Sequence, residues 1–352
     1  MDFSAPSKAK MNSTVILMTG LIVLVMVLFL LNLAMGSVDI PITSAAKILL
    51  GGTSADETWQ NIILKSRLPQ AITALIAGAS LAVSGLQMQT LFRNPLAGPA
   101  VLGISSGASL GVAVVLLVFS SFAGISLATV GVIGNLGITF AALMGALAVL
   151  ALIMLASRYT ASNTVLLIVG IMIGYASSSV VGILKFYSAA ADLKSYVIWG
   201  LGSFSNITMS EIPLFVSGLL VFLVLSFFII KPMNLYMLGE NYAKNLGVNV
   251  KMIRFLMILF SGFMVAITTA YTGPIAFIGL AVPHIARNLF LSSDNRILLP
   301  GVILTGGAVA LVCNFIARLP GFEGALPINT VTSVIGAPIV IWVIIRQRRG
   351  YE

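Results

Sequence analysis

The chain has 352 residues, 59% hydrophobic and only 8% charged, whereas a soluble domain carries roughly 25% charged residues, so a soluble fold is excluded. Its formal charge of +9 comes with no nucleic-acid signature. A single Cys excludes an intrachain disulfide, and one Cys with one His argues against a metal site built from those ligands.

In chain order, the apolar runs predict ten membrane-spanning helices, at about 15–35, 67–91, 100–120, 132–156, 163–185, 210–230, 252–272, 275–291, 299–318 and 328–346. The first run is too long for a signal peptide and reads as a retained helix, although Ala34-Met-Gly36 faintly matches a cleavage site. Residues 36–66, with Pro41, Gly51-Gly52 and Trp59, read as an extramembrane loop with one amphipathic stretch; residues 192–204 read similarly. On the second helix Gly78, Ala79, Ala82 and Gly85 permit close approach of a neighbouring backbone. Asn94-Pro95, Gly98-Pro99 and Gly273-Pro274 break helices and turn the chain. The polar loop 157–164 joins the fourth and fifth spans, where Ser162 or Asn163 can cap the fifth helix. His284, inside the eighth span, reads as a neutral histidine bonded to a neighbour.

The polar island at 232–251 lies between the sixth and seventh spans. Gly239 can end one short helix, Glu240 and Lys244 stand at i,i+4 on a second, and Gly247 can terminate it. A solvated loop and a docking surface are both open readings. With the N-terminus inside, 13 of the 19 Lys and Arg fall on the cytoplasmic side, together with the island and both termini. Arg67 and Arg318 then lie outside, each at the end of a span, as docking cations for an acidic partner or as helix-end anchors. Every acidic residue falls in a loop or at a span end, whereas ion-coupled transporters place carboxylates at mid-membrane. Energy for transport therefore has to come from elsewhere. The Gly-Pro pairs at 98–99 and 273–274 stand half a chain apart and leave an inverted repeat of two five-helix halves as an open reading.

Five segments, in order, carry a resemblance. They are Arg67-Leu-Pro-Gln-Ala through Leu91-Phe-Arg-Asn-Pro-Leu-Ala-Gly-Pro99, Leu102-Gly-Ile-Ser-Ser-Gly-Ala108, Leu238-Gly-Glu-Asn-Tyr-Ala-Lys-Asn-Leu-Gly-Val248, Gly273-Pro-Ile-Ala-Phe-Ile-Gly-Leu-Ala-Val-Pro-His-Ile-Ala-Arg287 and Leu326-Pro-Ile-Asn-Thr-Val-Thr-Ser-Val-Ile-Gly-Ala-Pro338. Together they resemble the permease subunits of bacterial ATP-driven importers for iron–siderophores, haem and cobalamin, the FecCD-type, type II importer family. The likeness runs from about residue 15 to 349.

The resemblance implies an all-α polytopic membrane protein forming one permease domain over residues 1–352, without cofactor, in the bacterial inner membrane. It implies partners: two ATP-hydrolysing subunits, a second permease copy, a periplasmic or lipid-anchored substrate-binding protein, and membrane lipid. Leu238, Gly239, Glu240, Ala243 and Leu246 would contact the ATPase, and Ser162, Asn163 and Thr164 would form the cytoplasmic gate. Arg67 and Arg318 would hold glutamates of the binding protein; Gln70 stands where family members can carry a second arginine, and Lys65 is a substitute. The chain has no Gly-x4-Gly-Lys-Ser/Thr phosphate loop, so it is not itself the ATPase. An ion-coupled secondary transporter of another fold and a membrane protein without transport are the rival readings.

Overall fold

The computed structural model describes residues 8–36, 38, 40–49, 52, 57–119, 132–160, 162–319 and 325–348, and every regular element among them is helical. The chain begins with α1 (Lys8–Ala34), α2 (Ile42–Leu49) and α3 (Glu57–Asn61). A π-helical stretch, Ile62–Arg67, leads into α4 (Leu68–Phe92). A 3₁₀ turn, Pro99–Leu102, precedes α5 (Ile104–Ala113), which runs on as a π-helix, Val114–Phe119. Then come α6 (Val132–Tyr159), α7 (Asn163–Phe186), α8 (Ala190–Gly200) and α9 (Ile212–Phe228). The remainder is α10 (Ile230–Met237), α11 (Glu240–Asn245), α12 (Val250–Thr272), α13 (Ile278–Phe290), α14 (Asn295–Ala317) and α15 (Ile328–Arg348).

Each of the ten segments expected to span holds a helix, but the helices are unequal. Among the described residues six runs, in α1, α3–α4, α6, α7, α12 and α14, are long and apolar enough to cross a membrane. The pair α9–α10 makes a seventh if its 58° bend is taken as a break within one span. The apolar helices Ile104–Val118 and Ile328–Trp342 are shorter. With 13 residues, α13 reaches about 20 Å, short of a hydrocarbon core of about 30 Å. Positive φ at Gly273 and Phe277 holds the chain out of helical geometry until Ile278, which shortens the expected span at 275–291. The expected span at 210–230 breaks at Ile229, so the first helix of the polar island starts before Pro232.

The helix α4 forms the centre, with 83% of its apolar window buried against α14, α12, α13 and α9. Small residues set these distances. A Cβ on Gly78 would stand 2.4 Å from the Gly306 carbonyl oxygen, and one on Gly85 only 1.6 Å from the Gly279 oxygen. Buried polar pairs add cross-links. Ser84 and Ser261 Oγ atoms meet at 2.5 Å, Gln87 donates to Ser226 at 2.8 Å, and Asn314 donates to Asn32 at 2.8 Å, tying peripheral α1 to α14. Such bonds contribute about 0.6 kcal/mol each in membrane bundles, so close backbone packing dominates.

Candidate functional site

The polar island folds as two short helices with a sharp joint. Gly239 takes φ +124° and ψ +142°, ending the turn that follows α10, and α11 starts at Glu240. Gly247, at φ +82°, turns the chain again, and Asn249 caps α12 by accepting from the Met252 amide at 3.1 Å. The base of α10 is fixed to the start of α14. Asn234 Nδ2 donates to Asp294 at 2.6 Å, and Asn234 Oδ1 accepts from the Asn295 amide at 2.9 Å and its side chain at 2.7 Å. Met233 and Tyr236 point inward and are fully buried.

Tyr236 brings the island to the 157–164 loop. Its hydroxyl donates to Glu240 Oε1 at 2.8 Å and accepts from Asn163 Nδ2 at 2.8 Å. Asn163 Nδ2 also reaches the Leu91 carbonyl at 2.9 Å and Glu240 Oε1 at 3.2 Å. The guanidinium of Arg93, the left-handed residue ending α4, lies 5.1 Å from the Tyr236 ring centroid and donates to the Tyr236 carbonyl at 3.2 Å. Burial pushes the Tyr236 phenol up to about 12, so it stays protonated and donates at any physiological pH. Asn163 Oδ1 is buried without a hydrogen-bond partner among the described residues, a cost of about 1–3 kcal/mol.

The three expected gate residues therefore separate by role. Ser162 is the N-cap of α7, accepting from the Val165 amide at 3.3 Å, while its carbonyl is met by Arg254 at 3.5 Å. Asn163 joins the island, and Thr164 is exposed. The expected coupling residues separate as well. Leu246 is exposed, and Leu238 and Gly239 are half-buried. Ala243 is fully buried, so its side chain is not on the outer face of α11. Glu240 turns inward to Tyr236 and Asn163 instead of reaching Lys244 one turn on. The outward face of α11 consists of Asn241, Tyr242, Lys244 and Asn245. Tyr242, exposed on this face, was not singled out from the sequence.

At the other end of the bundle, Arg67 and Arg318 converge: a Cβ on Gly36 would lie 3.1 Å from one guanidinium and 3.0 Å from the other. Arg67 is buried and donates to the carbonyls of Leu33 at 3.0 Å, Ala34 at 2.6 Å and Val38. Its guanidinium is thus held by backbone carbonyls at and just after the end of α1. Arg318 is half-buried and lines a cavity of about 240 Å³ with Ser66, Gln70, Ser203, Ser205 and Asn314. Its Nη1 has no hydrogen-bond partner among the described residues. Lys65 is exposed nearby in sequence, and Gln70 donates to Ser66 at 3.3 Å. A second cavity, about 480 Å³, mixes aliphatic residues such as Leu116, Ile138 and Leu326 with Asn135, Thr139, Trp199, Asn206 and Tyr271, and among the described residues no charged one lines it. His284 is buried and bonds the Pro95 carbonyl through Nε2 at 2.6 Å, which stitches α13 to the turn after α4.

Comparison with known proteins places this geometry in context. The model of the FecCD transport family matches residues 24–346. The hemin transport system permease protein HmuU of Yersinia pestis is 34% identical over 333 residues, covering 94% of this chain and 96% of that protein. The vitamin B12 import system permease protein BtuC of Klebsiella pneumoniae is 34% identical over 329 residues, covering 94% and 93%. A solved structure described as a metal-chelate type ABC transporter in an inward-facing conformation superposes with a TM-score of 0.80 at 29% identity, covering 94% of this chain and 98% of that one.

Proposed function

The chain belongs to the FecCD transport family and is a permease subunit of an ABC importer; from that premise we propose that it carries a bulky metal chelate, of the ferric siderophore, haem or cobalamin class, from a binding protein into the cytoplasm. ATP is hydrolysed by separate subunits in this family, and the protein is a multi-pass component of the bacterial inner membrane. The observation that carries the proposed coupling is the bond between the two-helix island and Asn163 at the mouth of the 157–164 loop. Two ATPase subunits take the island as their docking element, with Tyr242 and Leu246 on its outer face, while Leu238 and Gly239 shape the joint beneath and Ala243 and Glu240 hold it from inside. The narrow cytoplasmic end of the path is formed around Ser162, Asn163 and Thr164.

The full count of ten crossings and the single permease domain belong to this proposal, with both termini in the cytoplasm. Two observations support an inverted repeat. Ser84-Gly85 on α4 and Ser261-Gly262 on α12 stand about half a chain apart, and each serine hydroxyl approaches the other and the other's backbone carbonyl, as a local two-fold would require. The contact of the second helix with the ninth, α4 with α14, has its counterpart in the contact of the seventh with the fourth, α12 with α6.

A second permease copy packs on α7, only 22% of whose apolar window is buried. Tyr175 and Ser178 are exposed on that helix, where hydrocarbon would leave their polar atoms without partners, so this face lines a path between two copies. Lipid covers the outward face of α1, none of whose apolar window is buried.

Arg318 serves as the docking cation for an acidic lobe of the external binding protein, and Arg67 supports it from beneath. Arg318→Glu is expected to weaken binding-protein affinity about tenfold while the permease keeps its thermal stability. Arg67→Met orphans three carbonyls, each costing about 1 kcal/mol or more, and is expected to lower the melting temperature of purified permease. Unchanged binding to Arg318→Glu, measured by surface plasmon resonance, removes the docking role. The transport proposal itself is tested in proteoliposomes holding permease, ATPase and binding protein. ATP-dependent uptake of at least one of labelled haem, cobalamin or ferric siderophore is expected; failure with all three, or uptake driven by an ion gradient without the ATPase, overturns it.

A further inference from the structure

We propose that Asn163 is a latch that couples the ATPase-docking segment to the cytoplasmic gate, with Tyr236 and Glu240 as its two catches. The inference rests on the reading of 232–251 as the ATPase-coupling segment and assigns the residues through which that segment acts.

Three acceptors from three elements meet one amide nitrogen: the Leu91 carbonyl at the end of α4, the Tyr236 hydroxyl on α10 and the Glu240 carboxylate on α11. An amide nitrogen has two N–H groups, so three acceptors within 3.2 Å compete for two protons. The Tyr236 hydroxyl has one proton and gives it to Glu240, so its bond with Asn163 runs from the amide to the phenol oxygen. All three neighbours accept, which fixes the amide orientation and leaves Oδ1 without a donor among the described residues. A fully satisfied network would be rigid. This one offers three acceptors to two protons, which suits a contact that has to exchange partners in each transport cycle.

The placement gives the latch leverage. Asn163 is the first residue of α7, the helix whose open face lines the proposed path. Tyr236 and Glu240 lie on opposite sides of the Gly239 joint, so their 2.8 Å bond sets the angle between α10 and α11. Arg93 holds Tyr236 by its ring and its carbonyl, giving the catch a fixed base on α4. A push on the outer face of α11 displaces Glu240 first, then the proton shared with Tyr236, then the amide at the start of α7.

The test uses the whole transporter in proteoliposomes, with uptake and ATP hydrolysis measured together and spin labels placed on the two copies of Tyr159, an exposed residue at the end of α6. Asn163→Leu is expected to lower substrate moved per ATP about tenfold while hydrolysis continues, and the Tyr159–Tyr159 distance is expected to stop responding to nucleotide. Tyr236→Phe removes one oxygen and keeps the ring, so it carries the same test where Asn163→Leu fails to assemble. The double variant is expected to be no worse than Asn163→Leu alone, because both cut one network. Transport per ATP within about twofold of the parent protein for both single variants, with a nucleotide-responsive gate, overturns the latch. Tyr242→Asp, on the outer face of α11, distinguishes the two levels: if the ATPase still binds it and is coupled normally, the docking reading fails, whatever the Asn163 variants do.

Discussion

Gly85→Leu is expected to leave no folded permease. The Cβ it introduces would stand 1.6 Å from the Gly279 oxygen, 2.5 Å from its carbonyl carbon and 2.8 Å from its Cα. All three are backbone atoms, so no rotamer change relieves the clash, and α4 and α13 have to separate. Overpacking a core ordinarily costs about 1–3 kcal/mol, and a backbone collision lies above that range. In lipid the cost is harder to offset, because no hydrophobic force holds two helices together once their close contact is lost. The separation would reach the whole centre, since α4 also packs on α14, α12 and α9. Fluorescence-detected size exclusion of the detergent-extracted protein is expected to show the monodisperse peak gone. Gly20→Leu on α1, where a Cβ meets nothing within 4 Å, is expected to keep it. A normal peak and melting temperature for Gly85→Leu would mean that the α4–α13 contact is not as close as described.

Small residues such as Gly78 and Gly85 were legible in the sequence because their reason is local to the helix face that carries them. The two short helices of the island were legible for the same reason: Gly239 and Gly247 punctuate them. The network that gives the island its meaning was not. Asn163 lies more than 70 residues from both Leu91 and Tyr236, and neither composition nor spacing announces that the three meet. Local spacing was incomplete for one residue, because Glu240 stands at i,i+4 to Lys244 while its carboxylate accepts from the Tyr236 hydroxyl on the preceding helix. Arg67 shows a related limit. Its position at a span end is readable, but the carbonyls of Leu33, Ala34 and Val38 that bury it come from a turn 29 to 34 residues earlier. Apolar length overstated the uniformity of the spans, since the helix start at Ile278 is delayed by the positive φ of Phe277, which its apolar side chain does not announce.

Gly239→Val is expected to abolish coupled transport for a reason opposite to that at Gly85. A Cβ at Gly239 meets nothing within 4 Å, so space is not at issue. The constraint is the backbone, which sits at φ +124° and ψ +142°, a region essentially reserved for glycine. Forcing a β-branched residue there costs about 1–3 kcal/mol, and the chain escapes the strain by rotating α11 relative to α10. That rotation carries Glu240 away from Tyr236 and Asn163, and it turns Tyr242 and Leu246 away from the ATPase. A Cβ at Gly239 touches no transmembrane helix, so the bundle's own packing is left intact and the melting temperature of the permease is expected to stay within a few degrees of the parent. ATP-dependent uptake in proteoliposomes is expected to fall about tenfold or more. Gly239→Ala, strained by the same φ but without branching, is expected to fall between the two. Uptake at the parent level in Gly239→Val would mean that the angle between α10 and α11 does not matter for transport, whereas loss of both uptake and thermal stability would mean that the joint holds the fold as well as the coupling.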